Sequence, residues 1–451
     1  MNDNRYWNTD VQTLPRDQRR QLLADRLSSQ LDYVYNNSEF YRERLSAVGF
    51  TPGSVRDFES FRQLPVLFTK EDERKSLEDS FEMDGHPFGR HLCASPEEVR
   101  YRQATSGTSG MPTWYLFTQQ DYSVFTEAGA RYWHWCGVRP GDTVLFAMGS
   151  GMWVSALFVS ALRDMGACPL PVGLEAGVEK VLQYAKLCKP TSLLATPSLC
   201  RMMIEEAPKL IGVPVSDLGI RQLILGGEPG AGLPAVRREL EGAFGASVYD
   251  IIGPFWGNAY ASCTESEYQG LHCLTDDLAV WHQDLRNPVT GEAVEAVDGA
   301  IGEAITSGGS HQAAPMVKFG SGDVVTVSTG ACKCGFDGDR IRIVGRAADM
   351  LSIRDKLFFP HDIVNAVAGS GPAVTGEIRI RLTAPPPSVQ EPLPVIVECK
   401  AGVSPVDEEL RARIQRHVRG LVGVETLVEL VPHGSLERSM AKSQVLMHEY
   451  P

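Results

Sequence analysis

The spacing of apolar positions divides the chain into three stretches. Within residues 15–47, Leu22, Leu23, Leu27, Leu31 and Tyr35 fall mostly on one stripe. That spacing predicts an opening helical segment, ending near the turn-prone Thr51-Pro52-Gly53. From about residue 120 the pattern becomes a short apolar run, a turn and an amphipathic run, repeated. Residues 142–148, 190–196 and 220–225 read as buried strands, and 154–165, 178–187 and 234–244 as helices. Such alternation predicts an α/β fold built on a parallel sheet.

After about residue 270 the helical runs thin out. LAVWHQDL, EAITSG and DVVTVST read as short strands separated by Gly, Pro and Asp, predicting a mostly antiparallel β subdomain. The last hundred or so residues recover alternation. EIRIRLTA, LPVIVECKA and VETLVELV read as strands and 406–421 as a helix, giving a small α+β domain joined near residue 346. The Pro-rich 384–394 stretch has strands on both sides, so it reads as a hairpin loop inside that domain.

Composition narrows the picture. At 451 residues the chain is long enough for two or three domains, and 43% hydrophobic with 22% charged residues is ordinary for a globular protein. A formal net charge of −13 argues against nonspecific binding to nucleic acid or an anionic membrane. The polar first twenty residues lack the apolar core of a signal peptide, and the apolar stretch 152–162 is too short to cross a bilayer. Ten cysteines in so long a chain point to reduced thiols and a metal site rather than a disulfide framework, and hence to the cytoplasm.

The most informative short motif is Thr105-Ser106-Gly107-Thr108-Ser109-Gly110-Met111-Pro112-Thr113. Glycines let the backbone turn tightly against a ligand, and hydroxyls with free N–H groups suit phosphate oxygens. A Gly/Ser surface turn is the plain alternative, and the ending rules out a Walker loop, which needs GKS or GKT. The loop resembles that of the phenylacetate–CoA ligase branch of the adenylate-forming superfamily. The resemblance extends to Arg5-Tyr6-Trp7-Asn8, NNSEFYRERL (36–45), LPVLFTKED (64–72), Thr196-Pro197-Ser198 and Gly226-Gly227-Glu228-Pro229, in order and over essentially the whole chain.

This resemblance implies an adenylating, AMP-binding domain over residues 1–345 and a lid domain over 346–451. It places Gly227, Glu228, Pro229, Tyr249 and Asp250 at the nucleotide, with Tyr249 near the adenine or acyl group. Asp323, in PMVKFGSGDVV, resembles the aspartate that accepts from the ribose hydroxyls, although an Asp beside Gly is ordinarily a turn residue. Arg346, in GRAADM, would meet ribose or phosphate. Lys442, in LERSMAK, resembles the lysine that stabilises charge during adenylation, where a lone lysine would otherwise read as solvated surface. Arg354 matches the family's arginine in MLSIRDKLFFP, with Asp355 in place of a glycine.

Three departures stand out. Met111 replaces the loop lysine, Ala348 replaces the hinge acid, and residues 249–257 contain no glutamate where the family holds Mg²⁺.

Cys332-Lys333-Cys334-Gly335, with Cys263 and His272 nine residues apart upstream, offers a Cys3His set for structural zinc. Matching segments in members of the branch strengthen that reading. Cys273 is a competing ligand, and ordinary buried cysteines are the plain alternative. The resemblance places Trp153, Phe255 and Trp256 near the acyl site, where an apolar wall suits an aryl or arylacetic acid, although aromatics in an α/β protein are more often core. A third aromatic group, 131–135, completes the concentration.

The expected reaction is ATP-dependent activation of a carboxylic acid to acyl-AMP. A thiol of CoA or of an acyl carrier protein then takes the acyl group. An ATP-independent acyltransferase and a non-catalytic nucleotide-binding module remain alternatives. Assembly is open, with a homodimer compatible.

Overall fold

The computed structural model describes residues 5–104, 113–149, 156–228, 230–253, 257–354, 356–437 and 445–450. Candidate residues Thr105–Gly110, Trp153, Pro229, Phe255, Trp256 and Lys442 lie outside these described residues.

Among the described residues four helices, the longest being Arg16–Asn37, precede the first strand, Phe68–Thr69. Leu23, Leu27, Leu31 and Val34 of that helix bury into a cluster with Phe61, Phe68 and Phe319, which is the predicted stripe packed against a sheet. Helix and sheet are also joined by charge. Arg19 meets Asp276 at 2.9 Å, and Arg26 meets Asp277 at 2.8 Å.

Among the described residues the central sheet has fourteen strands. Its parallel part runs Cys168–Pro171, Thr143–Phe146, Ser192–Ala195, Gln222–Leu225 and Ser247–Ile252 in spatial order. The residues of Ser192–Ala195 are all buried, as expected of a strand covered on both faces. Helices Gly177–Cys188, Pro197–Leu210 and Pro234–Phe244 cover it. The last of these matches its predicted bounds, because Pro234 starts it and Gly245 takes the left-handed conformation that stops it.

The β-rich region is not a separate sheet. Ser247–Ile252 pairs antiparallel with Tyr260–Ser262, so the parallel strands continue directly into the antiparallel ones: Leu271–Cys273, Arg340–Arg346, Phe319–Ser328 and Ile301–Gly308. LAVWHQDL forms two separate short pairings, Ala279–Val280 and Leu285–Arg286, rather than one strand.

Beyond Arg346, a four-stranded sheet is built from Val374–Leu382, Leu393–Cys399, Thr426–Val431 and Leu446–His448. Helices Pro360–Gly369 and Glu408–Val422 pack against it over a core of their own. The Pro-rich 384–394 stretch joins two antiparallel neighbours of this sheet, as a hairpin connection should.

Candidate active site and metal centre

Met148, Thr196 and Gly226 each follow the carboxyl end of a parallel strand, where open α/β sheets form their ligand crevice. The local geometry there is tight. Thr196 caps its helix by accepting from Leu199 N, and Ser198 N donates to Glu228 Oε1 at 2.7 Å, so the two motifs TPS and GGE are tied together. Gly227 has φ +83°, and a Cβ there would lie 3.1 Å from Met148 Cε. A side chain at this point would both strain the backbone and crowd the crevice.

Tyr249 is not brought to this crevice. Its strand runs on to Ile252, and its hydroxyl sits 3.6 Å from where a Cβ on Gly137 would be, beside Gln222 at the amino ends of the strands. Side chains alternate across a strand, so Asp250 faces the other way. Its Oδ2 accepts from the Tyr268 hydroxyl at 2.6 Å. Burial pushes the Asp250 carboxyl up to about 6, opposed by that hydrogen bond and by Arg237.

Asp323 and Arg346 are direct cross-strand partners on the antiparallel wing, and Arg346 Nε lies 3.2 Å from Asp323 Oδ1. Both side chains keep some exposure, 23% for Asp323 and 44% for Arg346, so the pair can still meet a ligand. Tyr115 lies within electrostatic reach of the pair. Burial raises its phenol, the charges of Glu73 and Asp323 raise it further, and Arg346 opposes them. Motif reading does not single out Glu303, which reaches this place by accepting from Gly322 N at 3.0 Å. Arg354 takes φ +49° in the turn between Leu351–Ile353 and Lys356–Phe358 and pairs with Glu391 at 3.1 Å.

The four proposed metal ligands do converge. The donor atoms of Cys263, His272, Cys332 and Cys334 all lie within 4.8 Å of one another. Cys263 and Cys332 sulfurs are 4.0 Å apart, and Cys334 Sγ is 3.4 Å from His272 Nε2. A tetrahedral Cys3His zinc needs edges of about 3.5–3.8 Å, so the donor set fits that ion with little adjustment. His272 Nδ1 is 3.2 Å from the Ala261 carbonyl, an arrangement that leaves Nε2 free to face a metal.

Cys273 points to the opposite face of its strand, beside Tyr260, and is not a member of the cluster. Gly270 makes the approach feasible, since a Cβ there would lie 2.7 Å from the Ile341 carbonyl.

The N-terminal RYWN motif closes over this cluster. Arg5 Nη1 donates to the Cys334 carbonyl at 2.9 Å. Tyr6 packs on Trp135, and Trp135 packs on His272 and Phe336 with centroids 5.2 and 5.3 Å away. Trp135 Nε1 also donates to the Ser262 carbonyl at 2.9 Å, and Arg237 Nη2 to the Cys263 carbonyl at 2.9 Å. The aromatic group at 131–135 thus serves packing: Tyr132 and Trp133 are fully buried, and Trp135 walls the cluster.

No family model matches the chain. It is 30% identical over 453 residues to the phenylacetate-coenzyme A ligase of Thermus thermophilus, covering 95% of this chain and 96% of that protein. The chain belongs to the phenylacetate–coenzyme A ligase family. The enzyme of that name from Escherichia coli is 27% identical, over 96% of this chain and 95% of that one.

Among solved structures, 2-hydroxyisobutyryl-CoA ligase in its postadenylation state, bound to an acyl-AMP, superposes with a TM-score of 0.87 at 26% identity, covering 99% of this chain and 93% of that one. The same enzyme in its thioesterification state gives 0.70, over 100% and 94%. The present arrangement therefore resembles the postadenylation form more than the thioester-forming one. As a member of this family the chain is an AMP-forming acid–CoA ligase, activating a carboxylic acid with ATP and passing the acyl group to CoA. Among the described residues, no helix is long and apolar enough to cross a membrane.

Proposed function

We propose that this ligase acts on an aryl or arylacetic acid and that Asp323 and Arg346 bind the ribose of its nucleotide. The observation that carries the reading is the partly exposed cross-strand pair at 3.2 Å, on a sheet that superposes on an acyl-AMP-bound ligase. The relatives' name supports the arylacetic substrate.

In the first half-reaction a carboxylate oxygen attacks the α-phosphorus of ATP. The acyl–O–P bond forms, the bond to the β-phosphate bridge breaks, and pyrophosphate leaves. In the second, a thiolate attacks the acyl carbon and AMP leaves. Asp323 accepts from the ribose hydroxyls and Arg346 offers them, or the α-phosphate, a charge-assisted donor. The 105–113 loop would hold phosphates and Lys442 would meet the acyl phosphate. Trp153, Phe255 and Trp256 would line the acid pocket. Mg²⁺ would arrive with ATP as the counter-ion of its phosphates.

Cys263, His272, Cys332 and Cys334 would hold one structural zinc, because four protein ligands leave no position for substrate. Reduced thiols of this kind suit the cytoplasm. The boundary between adenylating and lid parts is placed at residues 345 and 346. An acyl carrier protein in place of CoA, and a homodimer, are the readings to be tested alongside.

Acid-dependent exchange of labelled pyrophosphate into ATP, across a panel of aryl, arylacetic and short hydroxy acids with Mg²⁺ or Mn²⁺, tests substrate and chemistry together. Exchange with an arylacetic acid, followed by CoA-dependent thioester release, is expected. Exchange confined to aliphatic acids would overturn the substrate class. For the metal, one zinc per chain in protein purified without chelator is expected, with loss in Cys332→Ser. A zinc-free native protein with unchanged stability would refute the site.

A further inference from the structure

Asp323 stands on an irregular piece of strand, and the irregularity has a support that the motif does not include. In the pairing of Ile301–Gly308 with Phe319–Ser328, Glu303 faces Val324 and Ile305 faces Gly320. Ser321, Gly322 and Asp323 together therefore oppose Ala304 alone. A bulge of this kind re-aims a side chain but leaves ladder groups unpaired.

Here those groups are recovered locally. Ser321 Oγ donates to the Ala304 carbonyl at 3.2 Å, and Asp323 N donates to Ser321 Oγ at 3.3 Å. The middle amide, Gly322 N, donates to Glu303 Oε1 at 3.0 Å. Gly322 has φ +79°, a conformation suited to glycine. The same carboxylate oxygen would lie 3.3 Å from a Cβ on Gly320, so the Glu303 side chain lies along the bulge.

We infer that Glu303 is a positioning residue for the nucleotide: its carboxylate pins the Gly322 amide, and the bulge so fixed presents Asp323 to the ribose. The inference rests on the assignment of Asp323 made above. Glu303 acts through Asp323 and does not itself touch ligand. Burial raises the Glu303 carboxyl, the Gly322 amide opposes the rise, the negative charge of Asp323 adds to it and Lys70 counters in part. The role requires an acceptor at the end of a three-carbon reach, whether carboxylate or amide.

The test compares Glu303→Gln, which keeps an acceptor at the same reach, with Glu303→Ala, which removes it. AMP binding to the purified full-length protein is measured by calorimetry, and KM and kcat are determined by pyrophosphate exchange. Loss of one hydrogen bond that orders the site is worth about tenfold. E303A is expected to weaken AMP about tenfold and raise KM for ATP in step. KM for the acid and kcat at saturating ATP should stay within about threefold, and E303Q should retain most of the affinity. In an Asp323→Ala background, E303A should add less than about twofold, because its route to the ligand is gone.

Should E303A fail to fold, as judged by thermal melting, Glu303→Asn takes its place, being one methylene short of the amide. The inference is overturned if E303Q is as impaired as E303A, or if E303A keeps its full effect in the D323A background. If D323A alone binds AMP as tightly as the native protein, the ribose assignment falls first and the positioning role falls with it. Failure of the positioning role alone leaves D323A weakened and E303A unaffected.

Discussion

Asp277→Asn is the substitution whose cost the structure specifies best. Asp277 is 1% exposed and receives Arg131 at 2.6 Å, itself 2% exposed, as well as Arg26 at 2.8 Å. Burial pushes its carboxyl up, but the two guanidiniums more than reverse this and hold it below the usual range. Asparagine matches the shape yet leaves Arg131 buried with only Glu127, at 2.9 Å, to face its charge.

Breaking a buried pair from one side costs about 3–5 kcal/mol. If the large part of the chain, about 345 residues, unfolds as one unit, its entropy at about 2.1 cal/mol/K per residue converts that loss to a midpoint lowered by roughly 4–7 °C. Scanning calorimetry or near-UV circular dichroism would read it, with Arg16→Ala as the control. Arg16 pairs with Asp339 at 2.5 Å but is 48% exposed, so its loss should cost about 1 kcal/mol or less.

The pH dependence gives a second reading. A carboxyl with a depressed folded pKa stabilises above its unfolded value and loses that contribution as pH falls through the folded value. D277N should therefore differ most from the native protein at neutral pH, with the gap closing in acid. A D277N midpoint within 1 °C of native at pH 7, or a shift no larger than that of R16A, would refute the account of an uncompensated buried charge.

Two further outcomes follow from other parts of the fold. Burial raises the Glu73 carboxyl to about 7 against Lys70 and Arg74, and the residue is 4% exposed. The folded state thus binds its proton more tightly, so stability falls as pH rises from about 4.5 to 7; Glu73→Gln should remove that slope and stabilise above pH 7 by at most about 3 kcal/mol, as read by denaturant melts across pH. Arg5→Ala opens the strap over the proposed zinc site, so zinc transfer to a chromogenic chelator should quicken severalfold with a change in Trp135 fluorescence; unchanged release would show that the strap is not a barrier.

Some of this was legible because the chemistry is local. Fully buried parallel strands such as Ser192–Ala195 appear as unbroken apolar runs, and Pro234 with Gly245 brackets a helix without help from tertiary contacts. The Cys and His positions are readable as a candidate metal set because side chains that ligate metals are few in kind, and their donor atoms do converge. His272 is in the set read from the sequence, but excluding its rival Cys273 takes the pleat, which only pairing with a neighbour fixes. Tyr249 looked like a ligand contact in one dimension, yet its place within the strand points its hydroxyl to the other edge. LAVWHQDL has the apolar content of one strand, but Ala279–Val280 and Leu285–Arg286 pair with different parts of Ile301–Gly308. Glu303 and Arg5 matter through partners 19 and 329 residues away, and no local spacing records those distances.

The unbroken sheet bears on how this enzyme can be recombined with its relatives. Residues 247–346 hold the Cys and His cluster, the Asp323–Arg346 pair and the ladder that joins them to the parallel strands. A chimaera with a crossover between residues 263 and 334 would split the donor set, and one between 303 and 323 would split the bulge as well. Exchange points in the helix Pro234–Phe244 or in the Pro-rich 384–394 connection leave that unit whole. Substrate preference, if carried elsewhere in the chain, should then be transferable without rebuilding the Asp323–Arg346 pair or the Cys and His cluster.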